Sequence, residues 1–407
     1  MATIGFGTYR VSDDNPEHIQ AIRMAVEAGV RLIDTSSNYG DGGAERAVAK
    51  ALRFIDGDAA EGVEIVSKFG YIQGSTMARL EAGETFEEVV EFAPHVFHCI
   101  HPDFMRDQLE RSLERLQRVS LECYLVHNPE YFLLDALNRG REREAVLDEM
   151  NDRIYRVFVA LESEVAAGRI DSYGISSNSF AKAPSDPEYL PYDDLVALAA
   201  HAAQHVGNAR HHLTTLELPI NLLETEGLRC ANWAKSHGLR VLANRPLNAQ
   251  YGGRMYRLAD YPLPETYETY LNELLLLCSN GVLGSLSNLV MQLDEVKHRF
   301  GWVGEYESFL YSEVVPHIRN ALASLEENEC AEVAQRIALF LDAYGRAVAH
   351  ECSRNVRQAL REKLEGCAEA LQLCALDFLL AQPDVDVVLL GMHRPLYVAE
   401  ISEHFSL

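Results

Sequence analysis

Short apolar runs and longer amphipathic stretches alternate along most of this chain. Residues 30–33, 63–67, 121–126, 172–176, 213–218, 240–243 and 385–390 have the length and β-branched content of strands, and Gly5-Phe6-Gly7-Thr8-Tyr9 opens the series. Between them apolar residues recur every third or fourth position, as Ile19, Ile22, Ala25 and Val26 do within 16–28. Further helices are predicted over 44–54, 102–116, 154–167, 193–206, 227–237 and 367–380. Strands that alternate with helices in this way pair in parallel and are covered by those helices. Eight of them predict an α/β protein built as a (β/α)8 TIM barrel.

Two stretches exceed what a barrel unit needs. Residues 71–100 form a long loop after strand 3, with Pro94, glycines and aromatic residues, and residues 296–364 read as a charged helical insertion before the last helix. Both are placed inside a single barrel domain, 1–407.

The 407 residues are 48% hydrophobic and 24% charged, the balance of a soluble globular protein. No apolar run is long enough to cross a bilayer, and Met1-Ala2-Thr3-Ile4 runs straight into a strand with no room for a signal peptide. No membrane association and a cytoplasmic location are therefore expected. The net charge of -25 argues against nucleic acid as a partner, because neutralising phosphates takes a basic face. Eight cysteines occur without any C-x-x-C spacing, several inside apolar helical patterns, and no disulfide is expected.

The chemistry collects at strand ends. Leu32-Ile33 delivers Asp34, and a loop of Ser, Asn and Gly then carries Tyr39; Lys68 ends the third strand and His127 the fourth. In a barrel those ends converge on one mouth. A phenol ordinarily titrates near pH 10, but an adjacent ammonium favours its ionised form and makes it a better proton donor. Asp34 can hold Lys68, and His127 can hydrogen-bond a substrate oxygen as charge develops there. Tyr9, Phe69, Tyr71, Tyr131 and Phe132 follow strand ends and are expected to line an aromatic substrate pocket.

These residues resemble the aldo-keto reductase family. The matching words are Asp34-Thr35-x-x-x-Tyr39-Gly40, Ser67-Lys68, Leu125-Val126-His127, Gly174-Ile175-Ser176, Pro219-Ile220-Asn221-Leu222-Leu223, Pro246-Leu247 and Gly391, in the family's order. The resemblance implies a metal-independent oxidoreductase that binds NADPH and reduces an aldehyde or ketone to an alcohol, or the reverse, by direct hydride transfer. Tyr39 would be its general acid/base, tuned by Lys68 and Asp34, with His127 orienting the carbonyl. Cofactor contacts would come from Gly7, Thr8, Ser176, Ser177, Asn178, Glu217, Asn244, Arg245, Pro246, Leu247, Gly391, His393, Arg394 and Glu400.

Several of those positions depart from the family's pattern. Asn244 stands where an aromatic ring usually stacks on nicotinamide, and Glu217 where a glutamine usually holds its amide. Glu217 can accept from the amide nitrogen but cannot donate to its oxygen. Ser176-Ser177-Asn178 leaves open whether Ser177 replaces the usual Asn or the register slips by one. Arg245 suits a pyrophosphate, and Arg394, with its cationic fork, favours NADPH over NADH. The altered contacts motivate a second reading, a slow NADP(H)-sensing or scaffold protein that binds a partner through its helical insertion. His95, His98, Cys99 and His101 lie close together at a spacing that matches no closed metal site, while His201 and His205, four apart on a predicted helix, have a spacing that can chelate but read as a solvated face among Ala and Gln; no metal is expected.

Overall fold

The computed structural model describes residues 2–55, 57–279, 283–323, 325, 327–362, 364–365, 367 and 369–407. It divides into two compact units, Met1–Pro246 with Leu376–Leu407, and Leu247–Ala375. The expected insertion 296–364 falls in the second unit; its Ser324, Glu326 and Lys363 lie outside the described residues.

The first unit is a closed parallel barrel. Its strands are β1 (Thr3–Gly7), β2 (Leu32–Asp34), β3 (Glu64–Phe69), β4 (Cys123–His127), β5 (Tyr173–Ser176), β6 (Leu213–Pro219), β7 (Arg240–Asn244) and β8 (Val387–Leu390), each paired with its neighbours in sequence and β1 closing against β8. Helices α1 (Pro16–Ala28), α2 (Gly43–Leu52), α3 (Pro102–Leu116), α4 (Arg143–Ala166), α5 (Leu195–Val206) and α6 (Gly227–Ser236) lie between strands in the chain. Asn15 caps α1 by accepting from the Glu17 amide, Pro16 fills its first turn, and Gly29 ends it at φ +123°. Leu32, Val66, Cys123, Leu125, Leu242, Val387 and Leu389 form the packed barrel interior. Successive residues of a strand face opposite sides, so this layer also determines which side chain points inward at the next step up.

Gly174 is required by close approach. A Cβ there would lie 1.9 Å from the Thr215 carbonyl oxygen, where the β5–β6 register shifts.

Residues 71–100 are more than the loop expected. They hold a helix, Gly74–Glu81, and a three-stranded antiparallel sheet of Tyr71–Ile72, Val90–Ala93 and Val96–His98. These strands are too short and irregular to show a two-residue period in sequence.

The second unit starts with a hairpin, Asn248–Tyr251 paired with Arg254–Arg257 through Gly252 and Gly253, both at positive φ. Helices Tyr267–Cys278, Gly284–Val296, Val303–Phe309, Val315–Leu322 and Glu327–Ala359 follow, sharing a core that includes Tyr267, Leu274, Val314, Phe340 and Tyr344. Cys367 and Cys374 form a disulfide with Cα atoms 6.0 Å apart, which corrects the expectation of none. Cys374 lies in the first turns of helix α7 (Leu371–Leu380), so the chain brings it back beside Cys367 at a spacing that C-x-x-C does not describe. Among the described residues, no helix is long and apolar enough to cross a membrane.

Candidate active site

The inward positions at the upper ends of the strands are Asp34, Lys68, His127, Ser176, Glu217 and Asn244. Each has the parity of the interior layer below it: Asp34 follows Leu32, Lys68 follows Val66, His127 follows Leu125 and Asn244 follows Leu242. Beyond β2 the chain stays alongside β3, the Thr35 amide donating to Val66 O and the Ser37 amide to Lys68 O. It then turns through Gly40, Asp41 and Gly42, all in the left-handed region, into α2. That reversal places the Tyr39 ring 5.3 Å from Lys68 Nζ.

Lys68 is fully buried and holds the centre. Its Nζ lies 2.5 Å from Asp34 Oδ1, 3.2 Å from Glu217 Oε2 and 3.2 Å from Thr35 O. Burial alone would lower its pKa, but Asp34 first, then Glu217 and Tyr39, outweigh this and raise it, so the ammonium is secure at neutral pH. Asp34 is pushed well above the usual carboxylate range by burial and by Glu217, against the pull of Lys68. The half-buried Tyr39 is raised by desolvation, Lys68 opposing and the two carboxylates adding to the shift. The phenol thus keeps its proton at rest.

His127 is held well below its usual pKa by burial and by the Lys68 charge, and is neutral. Its Nδ1 lies 3.3 Å from Ser36 Oγ, which donates to Asn38 Oδ1 at 2.6 Å. Its carbonyl accepts from His98 Nε2 at 2.7 Å; burial lowers the His98 pKa to about 4, so that ring too is neutral.

The aromatic residues divide. Tyr9 meets Tyr39 edge to face at 5.2 Å and is exposed. The Tyr71 ring lies 4.9 Å from that of His127; its hydroxyl is 2.9 Å from Tyr131 Oη and accepts from Asn128 Nδ2 at 2.6 Å, and Phe92 stacks on Tyr131 at 4.5 Å. Phe69 and Phe132 do not join them, contrary to the pocket role expected. Phe69 is one residue beyond inward-facing Lys68, so the pleat turns it outward onto Tyr124, ring centroids 5.1 Å apart. Phe132 is buried under Arg153, whose guanidinium carbon is 3.9 Å from its ring.

Among the residues expected to touch a cofactor, Thr8 donates through its amide and hydroxyl to Asp34 O, and Gly7 pairs in register with Asp34. Ser176 is buried at the end of β5. Ser177 Oγ donates to Glu130 at 2.9 Å and caps the turn Asn178–Ala181, while Asn178 Nδ2 reaches Asn128 at 3.3 Å. Glu130, which has no strand-end pattern to announce it, is buried here, and desolvation lifts its pKa to about 7 against hydrogen bonds from Ser177 Oγ and the Asn178 amide. Asn244 Nδ2 donates to Glu217 Oε1 at 2.8 Å, leaving Asn244 Oδ1 buried without a hydrogen bond. Arg245, at φ +52°, pairs with Glu224 at 2.8 Å and keeps a buried, unbonded Nε. Pro246 is buried after it, and Leu247 begins the second unit. Gly391 lies near Gly7; His393 packs edge to face on His18; Arg394 is exposed at the start of helix α8 (Pro395–His404), which also carries Glu400.

Residues 3–201 match the model of the aldo/keto reductase family. An aldo-keto reductase of Macaca fuscata fuscata is 28% identical over 131 residues, 32% of this chain and 32% of that protein. A methylglyoxal reductase of Escherichia coli (strain K12) is 24% identical over 255 residues, 62% of this chain and 66% of that protein. The chain thus matches less than two thirds of the length of either relative. A crystal structure of an aldo/keto reductase from Klebsiella pneumoniae in complex with NADP and acetate is similar at 23% identity, 60% of this chain and 64% of that one, with a TM-score of 0.37.

Proposed function

Through residues 3–201 this chain belongs to the aldo/keto reductase family, and on that footing we propose that it is an NADPH-dependent oxidoreductase interconverting a small-molecule aldehyde or ketone with its alcohol. The observation that carries the reading is the buried Lys68 between Asp34 and the Tyr39 ring, with His127 completing the mouth. When bound, the nicotinamide group supplies the hydride. Tyr39 donates its proton to the carbonyl oxygen as negative charge grows there, and the Lys68 ammonium stabilises the phenolate left behind. Asp34 holds Lys68 in place. Neutral His127, its Nδ1 side held against Ser36, flanks the same oxygen and orients the carbonyl.

The site residues fit such a cofactor. Asn244 Oδ1, a buried acceptor without a partner, suits the carboxamide NH2, and Arg245 Nε and exposed Arg394 supply donors for phosphates. Arg394 is the reason for preferring NADPH to NADH. Tyr9, Tyr71, Tyr131 and Phe92 favour apolar or ring-bearing substrates.

Purified protein is expected to oxidise NADPH with a panel of aldehydes, and Tyr39→Phe to stop turnover while NADPH fluorescence still reports binding. Unchanged turnover in Tyr39→Phe would overturn the assignment. A slow cofactor-sensing role draws support from Asn244 and Glu217 being bonded to each other; NADPH binding without turnover of any carbonyl, and a partner lost when residues 296–364 are removed, would favour it.

A further inference from the structure

Lys68 has one counter-ion more than its charge requires. Asp34 Oδ1 at 2.5 Å and Glu217 Oε2 at 3.2 Å flank one ammonium, and the three residues are 4%, 2% and 0% exposed in the order Asp34, Glu217, Lys68. With all three ionised the cluster carries a net charge of about -1, an excess that burial and the Glu217 charge oppose by raising the Asp34 pKa and that a further positive charge at the site would offset. Asn244 is neutral, and its amide anchors Glu217 by the 2.8 Å bond to Oε1 without cancelling that charge. Arg245, the next cation along the chain, is turned onto Glu224. His127 is neutral.

We propose that Glu217 sets which form of the cofactor this site holds more tightly: its surplus negative charge favours the oxidised, cationic nicotinamide ring over the reduced, neutral one. The inference rests on the reading that the site takes a nicotinamide cofactor. Direct hydride transfer requires the ring to contact the carbon whose oxygen shares a proton with Tyr39, and the Tyr39 ring is 5.3 Å from Lys68 Nζ. The cluster therefore acts on the ring at short range. The same charge opposes a phenolate at Tyr39, so its effect on the hydride step cancels in part and its effect on binding does not. The consequence is slow release of the oxidised cofactor after carbonyl reduction and strong product inhibition by it.

Isothermal titration of the full chain with NADP+ and with NADPH, for wild type, Glu217→Gln and Glu217→Asp, tests this. Wild type is expected to bind NADP+ at least as tightly as NADPH. Glu217→Gln is expected to weaken NADP+ about tenfold relative to NADPH, what is left of one charge's pull once the Lys68 ammonium and the surrounding dielectric have reduced it, and Glu217→Asp, which keeps the charge, to stay near the wild-type ratio. A ratio that moves by less than about threefold in Glu217→Gln overturns the proposal while leaving the cofactor reading intact. Wild-type protein that binds NADPH about tenfold or more tightly than NADP+ overturns it without any variant. Wild-type protein that binds neither sinks this proposal and the cofactor reading together.

Discussion

Ser36 Oγ lies 3.3 Å from His127 Nδ1, so the loop that carries Tyr39 also reaches across the barrel mouth to the imidazole of β4. A contact to one ring nitrogen fixes which nitrogen faces the substrate. Ser36→Ala is expected to lower kcat/KM about tenfold, the size of one lost hydrogen bond, with cofactor affinity unchanged. Steady-state kinetics beside calorimetry checks it; a tenfold loss in cofactor affinity instead would show that Ser36 shapes the cofactor seat.

Tyr39→Phe keeps the ring, its edge-to-face contact with Tyr9 and its place beside Lys68, and removes only the proton. Turnover should fall by roughly 100- to 10,000-fold, the usual worth of a general acid. Single-turnover measurements with a saturating aldehyde would read this directly.

Lys68→Met should cost stability as well as activity. It leaves Asp34 and Glu217 buried without a cation, and uncompensated buried charge costs about 3–5 kcal/mol. Urea unfolding is expected to show a loss of that order, partly recovered in Lys68→Met/Glu217→Gln. No recovery in the double variant would mean that Glu217 is not held there by Lys68.

Glu130 gives a pH dependence with a definite sign. Its pKa rises on folding from 4.5 to about 7, so its contribution is fully present below pH 4.5 and is lost as pH rises through 7. A raised pKa of that size corresponds to about 3 kcal/mol. Unfolding midpoints between pH 5 and 8 should therefore fall less steeply in Glu130→Gln than in wild type; parallel curves would show that Glu130 does not titrate in this window.

Arg394→Ala should weaken NADPH far more than NADH, which lacks the 2′-phosphate, whereas Arg245→Ala, which removes the ion pair with Glu224, should weaken both. Equal losses for the two cofactors in Arg394→Ala would remove the ground for preferring NADPH.

The barrel was legible because its signals are local: apolar runs, helical periodicity and caps such as Asn15 each lie within a few residues. The placing of Asp34, Lys68 and His127 at one barrel mouth was legible for the same reason, since each stands at or next to the end of a strand whose interior parity can be counted from its own sequence. Phe69 was misplaced by ignoring that parity, although one residue of register decides inside from outside. Glu130, Ser36 and the Glu217–Lys68 contact were illegible because each joins residues from separate strands and loops. The sheet within 71–100 and the bridge of Cys367 with Cys374 depend on short irregular segments that give no period.

Gly174 gives the barrel a fixed point in sequence space. Its missing side chain is replaced by a neighbouring carbonyl 1.9 Å from where a Cβ would sit, and in a closed ring neither strand can retreat without moving the next. A saturation library spanning the rim of this site should tolerate variety at the aromatic positions and return only glycine at 174, which makes that codon a useful internal check on whether selected variants still fold as barrels.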